Sequence, residues 1–212
     1  MWRTEDGEAI HSVWDADDSC LSIWALAYAT GVLSFPPQAQ VLEIGCAEAD
    51  WMTPMLSLRP DLQLTGIDWR GGLTRPGQLI QGDVLTVDWP QETFDAIVGI
   101  SSIEHVGLGH YSDDPLDVDG DRHCLERATG WLKPGGWIYL DVPYDPSGFR
   151  VCGTACRIYD DRAIATRLLV PGLTLRHAWY GELSTRQLVS KPGAESGLKA
   201  IVALHATKGE PC

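Results

Sequence analysis

The segment Gln40-Val41-Leu42-Glu43-Ile44-Gly45-Cys46-Ala47-Glu48-Ala49-Asp50-Trp51 constrains the fold more than any other stretch of the chain. Its aliphatic run, broken only by Glu43, suits a strand buried on both faces, as the parallel strands of α/β proteins are. Gly45 then permits a sharp turn, and the helical pattern that starts near Trp51 aims its first N–H groups at whatever sits above the strand. A strand, a tight turn and a helix in this order form the opening unit of a nucleotide-binding sheet.

The remaining pattern extends that unit. Strands are expected at Val41–Gly45, Leu62–Asp68, Gln78–Gly82, Phe94–Ile100, Trp137–Val142, Leu173–Tyr180 and Lys199–Thr207, with helices near Trp51–Leu58 and Arg122–Leu132. The stretch between Asp68 and Asp83 contains Gly71-Gly72 and Pro76-Gly77, so a loop or single turn is expected there in place of a crossover helix. Lys133-Pro134-Gly135-Gly136 reads as the turn that stops a helix and aims the fifth strand. The outcome is an α/β fold, a doubly wound, mostly parallel seven-stranded sheet. Before it, Ser19–Leu33 reads as a helix capped by Asp18 or Ser19 and ended by Gly31, either a lid or a helix packed on the sheet edge.

Charge narrows the partners. A net charge of −13 with 16 Lys and Arg repels polyanions, so neither nucleic acid nor an anionic membrane is an expected partner. No apolar run approaches the roughly 20 residues that span a bilayer, and the start Met1-Trp2-Arg3 lacks the order of a signal peptide, so a cytoplasmic location is expected. The six cysteines suit reduced thiols. Only Cys152 and Cys156 stand close together in the chain, and a zinc site there would need further ligands. The acids from Asp113 to Asp121 fit an EF-hand frame only with Pro115 at its first ligand position, so no metal is expected. They read as a solvated or hydroxyl-binding loop, with Asp121 capping the next helix.

In an open α/β sheet, ligands bind beyond the carboxyl ends of the strands. Asp68 ends the second strand, where a carboxylate accepts from two ribose hydroxyls. Asp83 follows the third, where it can accept from an adenine amino group while the Val84 N–H serves a ring nitrogen. Ser101 and Ser102 end the fourth. Trp69 is either an adenine platform or a core residue. The loop Ser101–Asp121 is dense in groups that bind: His105, His110, Tyr111 and Asp113. His105 is the candidate general base, its alternative being a loop-fixing hydrogen bond beside Glu104. Tyr144 and Tyr159 read as groups on the substrate side, and Arg157 and Arg162 either as the same or as surface ion pairs.

Together Glu43-x-Gly45, Asp68 and Asp83 resemble class I S-adenosylmethionine (SAM)-dependent methyltransferases, whose first motif is aliphatic-Glu/Asp-aliphatic-Gly-x-Gly-x-Gly. Ala47 and Ala49 stand in place of the second and third glycines. Phe94–Val98 and Leu132–Gly136 match the same class, and Glu104-His105-x-Gly-Leu-Gly-x-Tyr111-x-Asp113 resembles a segment of poorly characterised bacterial methyltransferase-like proteins. The resemblance implies that residues 1–37 form an extension able to cover a cleft and 38–212 a methyltransferase domain. It implies SAM as cofactor, with Gly45, Cys46 and Ala47 near its methionine part, Asp68 on the ribose, Asp83 on the adenine and Glu43 anchoring the loop. The expected reaction is methyl transfer to a small polar acceptor, a hydroxyl of a saccharide or biosynthetic intermediate. The alternatives are an NAD(P)-dependent oxidoreductase, whose glycine fingerprint the segment Gly45-x-Ala47-x-x-Asp50 fails, and a non-catalytic partner protein that keeps the fold.

Overall fold

A computed structural model describes residues 35–47, 52–71, 76–111, 116–182, 187–193 and 200–209. The expected helix at 19–33 and Asp113 lie outside the described residues, as do Ala49 and Asp50. The strands are β1 (Gln40–Ile44), β2 (Gln63–Asp68), β3 (Gln78–Gln81), β4 (Phe94–Ile100), β5 (Leu132–Tyr144), β6 (Arg150–Cys152), β7 (Cys156–Ile158), β8 (Leu173–Glu182), β9 (Gln187–Val189) and β10 (Ala200–Lys208). Eight of them form one sheet in the order β3-β2-β1-β4-β5-β10-β8-β9. The five strands from β3 to β5 are parallel, and the chain reverses direction outward from β1, so the switch point lies between β1 and β4. β10 inserts antiparallel between β5 and β8.

All seven expected strands are present; β9 adds an eighth at the edge of the sheet, antiparallel to β8. The described residues between β2 and β3 carry no helix. Lys133–Gly136 differs from expectation. It runs as the start of β5, where Leu132 pairs with Phe94 and a register shift precedes the Ala96–Trp137 pair. Gly135 takes a φ of +72°, and a Cβ on Gly136 would stand 3.0 Å from the Asp95 carbonyl, so the glycines serve the close approach of two strands as well as a turn.

Alternating residues of the parallel strands feed two apolar layers, as double winding requires. Leu42, Ile44, Ile97 and Leu140 pack with Cys124, Leu125, Ala128 and Trp131, which belong to the helix Gly120–Trp131. Val41, Val98, Tyr139 and Ala203 pack with Met52 and Met55 of the helix Met52–Leu58 on the other face. In chain order these helices are α1 (Met52–Leu58) and α2 (Gly120–Trp131). After β5, the hairpin β6–β7 forms a separate two-stranded ribbon, followed by the short helix α3 (Asp161–Ala163) and a wider turn over Ile164–Leu168. The hairpin lies near the loop after β4, which places it behind the cleft described next.

Candidate active site

The cleft opens at the carboxyl ends of β1, β2 and β4, on the switch point, with a volume of about 200 Å³. Gly45 leaves β1 with a φ of +80°, and its N–H donates to the Ile67 carbonyl at 2.8 Å. A Cβ at this position would lie 2.4 Å from Ser102 Cβ, so glycine is required both by the turn and by the serine packed on it. Ser102 in turn donates its hydroxyl to the Ile44 carbonyl at 2.8 Å, tying the end of β4 to the end of β1.

Asp68, only 6% exposed, organises the next part of the wall. Its Oδ2 accepts the Ala47 N–H at 2.9 Å, which holds the loop after β1 against β2. Its Oδ1 accepts the Arg70 backbone N–H at 2.9 Å and Arg70 Nε at 3.1 Å. The Arg70 guanidinium lies over the Tyr111 ring, 4.2 Å from its centroid, so a residue of the β4 loop reaches across to the end of β2. Trp69, Ile67, Val84 and Val106 supply apolar walls nearby.

Below the end of β4, Ser101 adopts a φ of +42°, a conformation rare outside glycine. Its N–H and hydroxyl both donate to Asp141 Oδ1, at 3.0 and 3.1 Å, and this pair of bonds holds the strained residue in place. Asp141 is fully buried, and burial pushes its carboxyl up to about 7, opposed by the two donors from Ser101. Burial also holds the Glu104 carboxyl well above its ordinary range, with nearby Asp141 adding to the effect. His105 Nδ1 contacts the Ala155 carbonyl. A carbonyl only accepts, so Nδ1 carries the proton in that contact and Nε2, 3.8 Å from Glu104 Oε1, is the nitrogen able to take another. The imidazole stacks on His110, with centroids 4.8 Å apart.

Arg157 holds this loop from behind. Fully buried, it donates to the carbonyls of Glu104 (3.4 Å), Val106 (2.7 Å), Asp117 (3.2 Å) and Val118 (3.2 Å), and stands 3.5 Å from Asp121. Asp121 is also fully buried and accepts from Arg167 at 2.6 and 2.8 Å and from the Tyr159 hydroxyl at 2.9 Å. A planar donor fork meeting several carbonyls and a carboxylate suits a buried arginine, since each buried charge needs its partners beside it.

Of the residues singled out from sequence, Gly45, Asp68, Trp69, Val84, Ser101, His105 and Tyr111 line the cleft. Ala47 meets it through its N–H on Asp68. Glu43 is buried in mid-strand beneath the Gly45 turn. Cys46 sits in the core instead, its thiol against Gly66. Asp83 spends its Oδ1 on the Leu85 N–H at 2.8 Å, within a turn whose neighbours Gly82 and Val84 line the cleft. His110 is exposed beside His105. Tyr144 and Tyr159 do not line the cleft: Tyr144 ends β5 and Tyr159 follows β7, and both rings are buried, with hydroxyls on Asp161 (3.2 Å) and Asp121. Asp121 does not cap α2; it points into the arginine cluster, and Asp119 holds the cap position without a side-chain bond. Arg157 is a buried clamp, neither a surface ion pair nor a substrate group. Ser102, marked with Ser101 at the end of the fourth strand, lines the cleft as well; Arg70, Val106 and Gly82 join it although the sequence pattern did not mark them as ligand contacts, and Asp141 stands behind Ser101. Position alone could have flagged Arg70, two residues past Asp68, and Asp141, an acid inside an apolar strand.

The sheet order, the antiparallel β10 and the cleft over the switch point define the fold of class I SAM-dependent methyltransferases. Within it, the chain belongs to the family described as Caenorhabditis protein of unknown function, DUF268, whose sequence profile matches residues 84–190. No curated protein matches the sequence. Solved structures match in fold. A SAM-dependent methyltransferase of Methanosarcina mazei is 12% identical, with 84% of this chain and 95% of that chain covered and a TM-score of 0.60. The 1,6-didemethyltoxoflavin-N1-methyltransferase of Burkholderia thailandensis, solved with S-adenosylhomocysteine, is 15% identical, with 94% and 82% covered and a TM-score of 0.59. The [4+2]-cyclase SpnF shares the fold too, at 16% identity, with 96% and 85% covered and a TM-score of 0.62. Among the described residues, no helix is long and apolar enough to cross a membrane.

Proposed function

We propose that this protein transfers a methyl group from SAM to a small polar acceptor. The observation that carries the reading is the Gly45 turn beside Asp68 at the switch point, a carboxylate placed where a ribose diol needs an acceptor. The cleft supports the rest of the cofactor: Trp69, Val84 and Val106 give it apolar walls of the kind a flat heterocycle needs, beside the turn at Gly45. Gly45, Ala47 and Ser101 would then border the methionine part, and Asp83 with the backbone around Val84 the adenine edge. Bound there, the sulfonium supplies an activated methyl group.

The chain's own work is alignment, exclusion of water and, for a hydroxyl acceptor, removal of a proton. The Ala155 carbonyl at Nδ1 supports a His105 tautomer whose Nε2 accepts a proton, and the rings of His110 and Tyr111 beside it would border the acceptor. A base beside polar rings would support O-methylation of a saccharide or biosynthetic intermediate. Titration calorimetry with SAM, S-adenosylhomocysteine and NAD tests the cofactor: binding of the first two and not of NAD is the expected result. NAD binding alone would transfer the reading to an oxidoreductase.

A second reading rests on Arg70, whose guanidinium already pairs with Asp68. In it the protein keeps the fold without methyl transfer. No binding of SAM, S-adenosylhomocysteine or NAD by the folded chain, with S-adenosylhomocysteine binding appearing in Arg70→Ala, would favour it.

A further inference from the structure

The hairpin β6–β7 carries two cysteines directly opposite each other, Cys152 facing Cys156 across the antiparallel ladder. Both are free thiols, and neither is part of the apolar core, in contrast to the buried Cys46 and Cys124. Opposed residues of an antiparallel pair have Cα atoms about 4.5–5.5 Å apart, inside the roughly 4.4–6.8 Å that a disulfide spans, and their side chains leave the ribbon on the same face. The strands are three residues each, joined by Gly153–Ala155, where Gly153 has a φ of +58° and the Ala155 N–H donates to the Cys152 carbonyl at 2.9 Å. A ribbon this short is marginal by itself.

Its position gives the pair a consequence. The same turn presents the Ala155 carbonyl to His105 Nδ1, and Arg157, next after Cys156, clamps the carbonyls of the β4 loop. We propose that Cys152 and Cys156 form a reversible disulfide, a redox modification site that locks the hairpin beneath His105. The site does not depend on what the cleft binds.

The oxidant is a low-molecular-weight disulfide of the glutathione class. The exposed Cys152 thiolate attacks one sulfur of that disulfide; the S–S bond breaks and one glutathione thiolate leaves. The Cys156 thiolate then attacks the Cys152 sulfur of the mixed disulfide and expels the second. The protein loses two electrons, the oxidant gains them, and the two protons released by the protein thiols end on the two glutathiones. Exposure sets the order, for Cys152 is open to solvent and Cys156 is half-buried. Burial, then the neighbouring Cys152 and Glu104, push the Cys156 thiol up, so its thiolate is scarce and the second step is the slower one.

The test incubates the full chain with oxidised glutathione at neutral pH, then alkylates and maps the peptides. Loss of both Cys152 and Cys156 from the alkylated pool as one intramolecular bond, restored by dithiothreitol, is the expected result. A shift of the His105 ring resonances on oxidation, absent in Cys152→Ser and in Cys156→Ala, is expected alongside. A stable glutathione adduct on Cys152 with Cys156 still alkylated, a bond from either to Cys20 or Cys212, or no reaction would overturn the site. A bond that forms without moving the His105 resonances would overturn the coupling to the cleft.

Discussion

Arg70 Nε donates to Asp68 Oδ1 at 3.1 Å, so the carboxylate expected to take a ribose already carries a cation from its own strand end. With the Ala47 and Arg70 backbone N–H groups it accepts three kinds of donor, and two ligand hydroxyls can enter only by displacing the guanidinium. Arg70 is about a third exposed while Asp68 is buried, so the guanidinium can swing to solvent, provided the ligand hydroxyls replace the hydrogen bonds it leaves on the carboxylate.

Two variants separate the roles of this pair. Asp68→Ala should weaken S-adenosylhomocysteine binding by about 1.5–3 kcal/mol, the range for hydrogen bonds to a charged group. Arg70→Ala should leave affinity unchanged or raise it, because the guanidinium no longer has to be displaced. Calorimetry on both folded variants checks this, and a large loss in Arg70→Ala would make the arginine a ligand contact instead of a placeholder.

Arg157 should matter to the fold before it matters to chemistry. Arg157→Ala leaves carbonyls of Glu104, Val106, Asp117 and Val118 without their donor and removes one cation from the buried Asp121. Breaking one partner of a buried charge cluster costs about 3–5 kcal/mol. Arg167 still holds Asp121, which puts the expected loss at the lower end. Urea unfolding of the variant against the native chain measures it; a loss below about 1 kcal/mol would show that water replaces the clamp.

Asp141 predicts a pH dependence of stability. Its carboxyl is raised in the folded protein to about 7 from an ordinary 3.8, chiefly by burial. A raised folded value favours the protonated, folded form, so the contribution is complete below the unfolded value and is lost as pH rises through the folded one. Stability should therefore fall between about pH 4 and pH 7–8, and Glu104, also raised by burial, should act in the same direction. Asp141→Asn should flatten the decline in thermal midpoint over about pH 5–8. An unchanged slope would mean that Asp141 is not the titrating group.

The readable parts of this protein were those with local causes. The fourth strand matched its expected bounds, Phe94–Ile100, because a buried parallel strand carries its apolar run in its own residues. Gly45, Asp68 and Ser101 were legible because strand ends point at the cleft whatever their partners are. Tyr159, Asp121 and Arg157 were not. Each finds its partner dozens of residues away, across a three-residue strand too short to show alternation, and the same letters read equally well as a solvated surface. The turn Lys133–Gly136 became strand for a related reason: its pairing with β4 is decided by the close approach of Asp95, which no local pattern announces.

The last prediction concerns His105. Its Nδ1 is engaged by the Ala155 carbonyl, which selects the tautomer with the proton on Nδ1, and the ring stacks on His110. If Nε2 takes the acceptor proton, His105→Ala should lower kcat by about 10²–10⁴ while S-adenosylhomocysteine affinity changes little. If the ring only ties the β4 loop to the hairpin, the same change should raise the acceptor KM or lower stability with a modest effect on kcat. His105→Gln separates these further, since the amide can still donate to the Ala155 carbonyl but cannot serve as a base near neutral pH. Recovery of stability without recovery of kcat in His105→Gln, measured by S-adenosylhomocysteine release with a hydroxylated acceptor found by screening, supports the base. Recovery of both assigns His105 to the loop and leaves the transfer to alignment within the cleft.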